Sequence, residues 1–216
     1  METTSSYRAI PRTKTSAGAL TVLFLLFAPL LASCSPKAGS LEDLASGAGS
    51  PDARPQAGEA VSFVVERVVD GDTVQIDGEL YGSDTVRMIG VDTPESADPD
   101  EGVEPLGKEA ASFGASALEG QSVELVADEE PTDPYGRALS YVYLEDGTMF
   151  NAALLREGLA QVAIFPPNRA HADDFYRYQE EARAADRGIW SLPQAELCVL
   201  ADRGNGFGEG SPSCQE

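Results

Sequence analysis

Three carboxylates, Asp72, Asp92 and Glu95, fall in two short segments, Asp70-Gly71-Asp72-Thr73 and Val91-Asp92-Thr93-Pro94-Glu95. Each segment alone has an ordinary explanation. Asp-Gly pairs supply the positive φ values of tight hairpins, and Thr93 with Pro94 and Glu95 could cap a helical turn. Together, near the ends of adjacent strands, the three carboxylates would repel one another unless a cation sat between them. Calcium takes such an all-oxygen shell of carboxylates, a backbone carbonyl and water, with flexible geometry. Sulfur and imidazole ligands are missing here, which excludes a typical zinc or copper site. Arg87 and Arg137 add two planar cationic forks. Val86 and Met88 face one way on their strand, so Arg87 shares the other face with Ile89, and an arginine held inward needs an anion. A structural ion pair with one of the many acids is the common fate of such a residue. Arg137 directly follows the turn residues Asp133-Pro134-Tyr135-Gly136, which is unremarkable alone. Two forks plus a metal nevertheless match a phosphodiester whose phosphorus becomes five-coordinate and whose oxygens gain charge.

The elements that must position these residues read as follows. From Val61 to Val91, Val61, Phe63, Val65, then Val74 and Ile76, then Val86 and Met88 alternate with other residues, and turns at Asp70-Gly71 and Asp77-Gly78 interrupt. The pattern predicts short antiparallel strands. Pro105 to Leu118 places Ala110, Phe113 and Ala117 at helical spacing, with Gly120 just past the end, and predicts an amphipathic helix. Ser122–Val126 and Ala138–Leu144 alternate again, around the turn cluster Pro131–Gly136. Helices over Phe150–Glu157 and Ala172–Arg187, ended by Gly158 and Gly188, complete the pattern. Five strands with a helix after the third define an α+β chain, a five-stranded OB-fold Greek-key β-barrel with about three α-helices, whose concave face often takes oligonucleotides.

The ends carry other information. Arg8, Arg12 and Lys14 precede an apolar run from Ala19 to Leu31, too short for a comfortable membrane span. Leu31-Ala32-Ser33-Cys34 resembles the lipobox of bacterial lipoproteins, so residues 1–33 read as a lipoprotein signal peptide and Cys34 as the acylated residue. An ordinary signal peptide or an uncleaved anchor is the alternative; all three export the protein. Residues 34–59 are too poor in apolar side chains to offset ordering entropy and read as a tether. The compact domain spans 60–192, and 193–216 form a Gly/Ser-rich tail. With Cys34 lipidated, Cys198 and Cys214 are the remaining cysteine pair, and a disulfide between them or two free thiols are both open. Aspartate and glutamate outnumber lysine and arginine by 36 to 15, for a formal charge of −21. Proteins that grip polyanions normally carry the opposite sign.

Val-Asp-Gly-Asp-Thr at 69–73, Val-Arg-Met-Ile-Gly-Val-Asp-Thr-Pro-Glu at 86–95 and Asp-Pro-Tyr-Gly-Arg at 133–137 resemble the signature segments of the staphylococcal nuclease family, in order and spacing. So do Gly-Val-Glu at 102–104, Gly107 with Glu109-Ala110, Asn151-Ala152-Ala153-Leu154 with Gly158-Leu159-Ala160, and Ile189-Trp190. The resemblance covers about Val61 to Trp190 and implies a calcium-dependent nuclease acting on DNA or RNA outside the cytoplasm. It implies that Asp72, Asp92 and the Thr93 carbonyl hold calcium, with Glu95 close by through water as general base or as the group orienting the attacking water. Arg87 and Arg137 would stabilise the phosphate, Asp70 would stand beside the metal ligands, and Tyr135 would contact nucleotide phosphate. The chain departs from the type enzyme at Ala163-Ile164-Phe165-Pro166, where two tyrosines flank the bound nucleotide, and at the acidic Ser96–Glu101 loop, which is lysine-rich there. Pro134 likewise replaces a lysine. These departures favour modest substrate affinity and keep a second reading open, a nuclease-like binding or scaffold lipoprotein; a third is an envelope component with no metal response. The chain is expected to be a monomer anchored by Cys34 to the cell membrane on its extracytoplasmic side.

Overall fold

The computed structural model describes residues 58–97, 103–200 and Cys214. The expected leader, lipidated Cys34 and most of the tether lie outside the described residues. Among the described residues, no helix is long and apolar enough to cross a membrane.

Strands β1 (Val61–Asp70), β2 (Thr73–Leu80) and β3 (Ser83–Met88) form a meander, followed by a short strand β4 (Gly90–Asp92) and helix α1 (Gly107–Leu118). Then come β5 (Ser122–Val126), β6 (Ala138–Leu144), α2 (Phe150–Arg156), β7 (Gln161–Ala163) and α3 (Ala172–Ala184). A 3-10 turn at Gly188–Ser191 and a short helix α4 (Gln194–Leu197) end the described chain. Five strands close a barrel in the order β1-β2-β3-β6-β5, with α1 inserted after the third barrel strand, the expected OB plan. Closure of a barrel removes free sheet edges.

Three local details differ from the sequence reading. The expected turn at Asp77-Gly78 is not a turn: β2 runs through it, with an irregular register against β3. The Asp77 carboxylate instead accepts the Val64 N–H at 2.8 Å, so the pair serves the β1–β2 ladder. The chain reverses at Tyr81-Gly82, both with positive φ (53° and 81°), as a two-residue hairpin turn requires. The barrel is not wholly antiparallel, because β3 meets β6 in parallel, with Arg87 opposite Leu139. A separate two-stranded sheet pairs Gly90 with Ala163, Val91 with Val162 and Asp92 with Gln161. Strands of three residues carry too little periodicity to be read from sequence.

Alternate residues of the barrel strands, among them Val65, Val74, Ile76, Val86, Met88, Val123 and Leu125, fill the interior. Burial on one face of each strand fixes its register, since a one-residue slip would expose the whole set. The α1 and α2 helices join this core through Phe113 and Phe150, stacked at 5.5 Å between ring centroids. A second apolar cluster, Ala182, Ile189, Trp190 and Leu200, gathers α3, the 3-10 turn and the chain beyond α4. Of residues 194–200, expected as part of a tail, Leu200 is buried in this cluster and Leu197 packs against it. Cys198 and Cys214 are joined by a disulfide, with Cα atoms 5.5 Å apart.

Candidate active site

The β1–β2 hairpin delivers Asp70 and Asp72. Gly71 is needed there for closeness rather than for positive φ: a Cβ on it would come within 2.8 Å of the Thr93 side chain and 2.9 Å of Ala110. This tight approach joins the hairpin to the segment after β4. Asp72 is 5% exposed. Its Oδ2 accepts the Thr93 N–H at 2.8 Å, and its Oδ1 accepts the Thr73 hydroxyl at 3.0 Å.

Arg87, on β3, holds the centre. Its Nη1 donates to the carbonyls of Met88 at 3.0 Å and Val91 at 2.8 Å, and lies 3.0 Å from Asp72 Oδ2. Its Nη2 pairs with Asp92 Oδ1 at 2.9 Å. The guanidinium thus bridges two of the expected metal ligands. Arg87 makes the expected structural ion pair while also lining a cleft.

Glu95 follows Pro94 at the mouth of this cluster. Its N–H donates to the Glu104 carboxylate at 2.8 Å, and the Glu104 N–H donates back to the Glu95 carbonyl at 2.9 Å. Partial burial, a hydrogen bond with the Asp70 side chain and the charges of Asp70, Asp72 and Asp92 push the Glu95 carboxyl up to about 8. Burial also raises Asp72 above its ordinary value, opposed by Arg87 and the Thr93 N–H and reinforced by Asp92 and Asp70. Four carboxyls therefore crowd one small volume with one bridging cation.

On the opposite wall, Asp133 builds the turn that presents Arg137. Its Oδ1 accepts the N–H groups of Tyr135 and Arg137 at 3.0 and 2.9 Å, while Oδ2 takes Arg137 Nε at 2.7 Å. Burial would raise its carboxyl, but the bonds from Arg137 and Tyr135 prevail and hold it below the ordinary value. Gly136, at φ 83°, completes the turn. The Arg137 guanidinium lies 5.6 Å from the centroid of the Tyr135 ring, and that ring is 85% exposed.

Arg87, Asp92, Glu95, Arg137, Tyr135 and Phe165 line one cleft of about 600 Å³. Asp72 lies buried behind it, hydrogen-bonded to Thr93. All the chemical residues expected from sequence within the domain thus come together, with Asp70 against Glu95. Sequence reasoning gave no separate role to Glu104 or Asp133, the side chains that hold Glu95 and Arg137; both stand inside segments already notable for their pattern, 102–104 and 133–137. Among the described residues, no ready-made group of three His, Cys, Asp or Glu side chains surrounds a common point as a metal cage would. The donors still fit a hard divalent ion. They are all oxygens, burial and then neighbouring carboxylates raise two of the carboxyls, and the buried Thr93 Oγ1 has no hydrogen-bond partner.

Fold and site together define an OB-barrel protein with a carboxylate cluster and two arginines facing one open cleft. Residues 85–192 match the family model described as staphylococcal nuclease homologue. The chain is 46% identical over 130 residues to a thermonuclease of Staphylococcus intermedius, covering 60% of this chain and 76% of that protein. It is 41% identical to a thermonuclease of Staphylococcus hyicus over 130 residues, with the same two coverages, 60% and 76%. To endonuclease YncB of Bacillus subtilis it is 36% identical over 148 residues, covering 67% of this chain and 68% of that protein. The chain belongs to the staphylococcal nuclease family.

Proposed function

We propose that this protein is a calcium-dependent nuclease that hydrolyses phosphodiester bonds of DNA or RNA outside the cytoplasm, as a monomer anchored through lipid on Cys34. The observation that carries the chemistry is the convergence of Arg87, Arg137, Asp92 and Glu95 on one cleft, with Asp72 buried behind it. Family membership and relatives named thermonuclease and endonuclease support the reaction class. The Cys198–Cys214 bond is consistent with an oxidising compartment.

Asp72, Asp92 and the Thr93 carbonyl would hold calcium, with Glu95 near it. Calcium bound there would supply positive charge at a phosphoryl oxygen and favour the ionised form of the Glu95 carboxyl. Ionised Glu95 would accept a proton from, or orient, the attacking water. Arg137, positioned by Asp133, would bind a phosphate oxygen as charge develops, and Arg87 would do the same from the other wall. Each arginine could contribute a few kcal/mol (about 3) at the transition state. Tyr135 and Phe165, both exposed at the rim, would face the nucleotide.

A binding or scaffold role is the second reading, supported by Pro134, Ile164 and the acidic surface around the cleft. One assay separates the two. Purified protein is incubated with single-stranded DNA and calcium, with and without chelator, beside Glu95→Gln. Chelator-sensitive cleavage that the variant lacks is expected; no cleavage across a range of salt, with calcium still raising the melting temperature, leaves the binding reading.

A further inference from the structure

The backbone of Glu95 is held by a turn some ten residues further along. Besides the two reciprocal bonds between Glu95 and Glu104, the Gly107 N–H donates to the Glu104 carbonyl at 3.0 Å. A Cβ on Gly107 would collide with the Glu95 carbonyl oxygen, so turn and glutamate are in direct contact. Between them Leu106 adopts φ 66°, a left-handed conformation that costs a leucine free energy and persists only where packing enforces it. Leu106 packs against the second apolar cluster, of which Leu200 is a buried member and on which Leu197 and Leu192 also pack. Leu197 and Leu200 lie beyond residue 192, where the family match ends. Their segment is tied by Cys198 to Cys214, sixteen residues on.

We propose that residues 193–200 are a brace for the Glu95 site: Leu200 and Leu197, flanking the cross-linked Cys198, complete the apolar cluster that holds Leu106, and the Glu104–Gly107 turn transmits this to the Glu95 backbone. Leu106, Leu200 and Glu104 are positioning residues; none is asked to touch substrate. The physical need is plain, since a reacting group displaced by about an ångström can lose about a hundredfold in rate. The positioning role rests on the assignment of Glu95 under the proposed function, whereas the brace itself rests on packing and hydrogen bonds alone.

The full chain, its Cys198→Ser/Cys214→Ser form, Leu200→Ala and Leu200→Met are compared by amide exchange at Glu95 and Glu104 and by steady-state cleavage with calcium. The serine form and Leu200→Ala should exchange both amides about tenfold faster, and kcat should fall about tenfold with KM within about twofold. Leu200→Met, which keeps the volume, should restore both. Unchanged exchange at the two amides, even with a lower melting temperature, overturns the brace. Faster exchange with unchanged kcat overturns the positioning role if Glu95→Gln is inactive; if Glu95→Gln still cleaves, the brace stands and it is the assignment of Glu95 that fails.

Discussion

Glu95 and Arg87 show how little a single side chain means outside its neighbours. Glu95 is an ordinary glutamate whose carboxyl rises from 4.5 to about 8 because partial burial and three aspartates disfavour its charge. In the metal-free protein the folded state therefore keeps a proton that the unfolded chain has released. Stability from this group is fully present below about pH 4.5 and is lost as pH rises through about 8. Thermal unfolding in chelator should show that decline, and Glu95→Gln, with no proton to lose, should flatten it. Arg87 carries the complementary role. Arg87→Ala would leave buried Asp72 and half-buried Asp92 without their bridging charge, so a loss of about 3 kcal/mol is expected in urea unfolding of the metal-free protein. Calcium should recover part of that loss while cleavage stays down by about a hundredfold or more.

At the scale of elements, short connections carry the site. Asn151, at the start of α2 and fully buried, accepts the Val142 N–H and donates to the Ile89 carbonyl, each at 2.9 Å. It pins the bend between β3 and β4 to β6, and that bend sets the distance from Arg87 to Asp92. Gly90 allows the bend, with φ 78° and a Cβ position that the Phe175 ring would meet at 2.7 Å. Asn151→Ala would leave a buried donor and a buried acceptor unmatched, and should cost about 3 kcal/mol in denaturant unfolding. Asp133 works in the same way on the other wall. Asp133→Ala should lower kcat/KM by about tenfold or more through a loosened Arg137, with a smaller effect on the melting temperature than Asn151→Ala. The strand pattern was legible where alternate residues are buried, as with Val74 and Ile76 on β2, Val86 and Met88 on β3 and Val123 and Leu125 on β5; on β6 the run Ser140–Tyr143 is buried on both faces. The β4–β7 pair was not legible, since three residues show no period. The Asp77-Gly78 pair misled for a physical reason: its carboxylate finds the Val64 N–H on the neighbouring strand, so the strand continues.

At the scale of the molecule, charge and the C-terminal segment set this chain's behaviour. A formal charge of −21 opposes the approach of a polyanion. Where basic nucleic-acid binders weaken with salt, this protein should bind its substrate better as monovalent salt rises from about 10 to about 150 mM, because screening relieves repulsion over about a Debye length. Initial-rate measurements at fixed calcium should show KM falling over that range; a rise would overturn the expectation.

The sequence by itself determined the barrel, through alternating apolar residues, and the identity of the chemical groups, through residue types spaced as a nuclease-family site. Asp72, Asp92, Glu95, Arg87 and Arg137 could all be named without coordinates. Only the tertiary structure decided that Arg87 bridges Asp72 and Asp92, that Asp70 shares the environment of Glu95, and that Leu200 belongs to the apolar cluster on which Leu106 packs. Spacing along a chain reports which elements form, whereas these contacts join residues on different elements and exist only once the barrel has closed and its helices have docked.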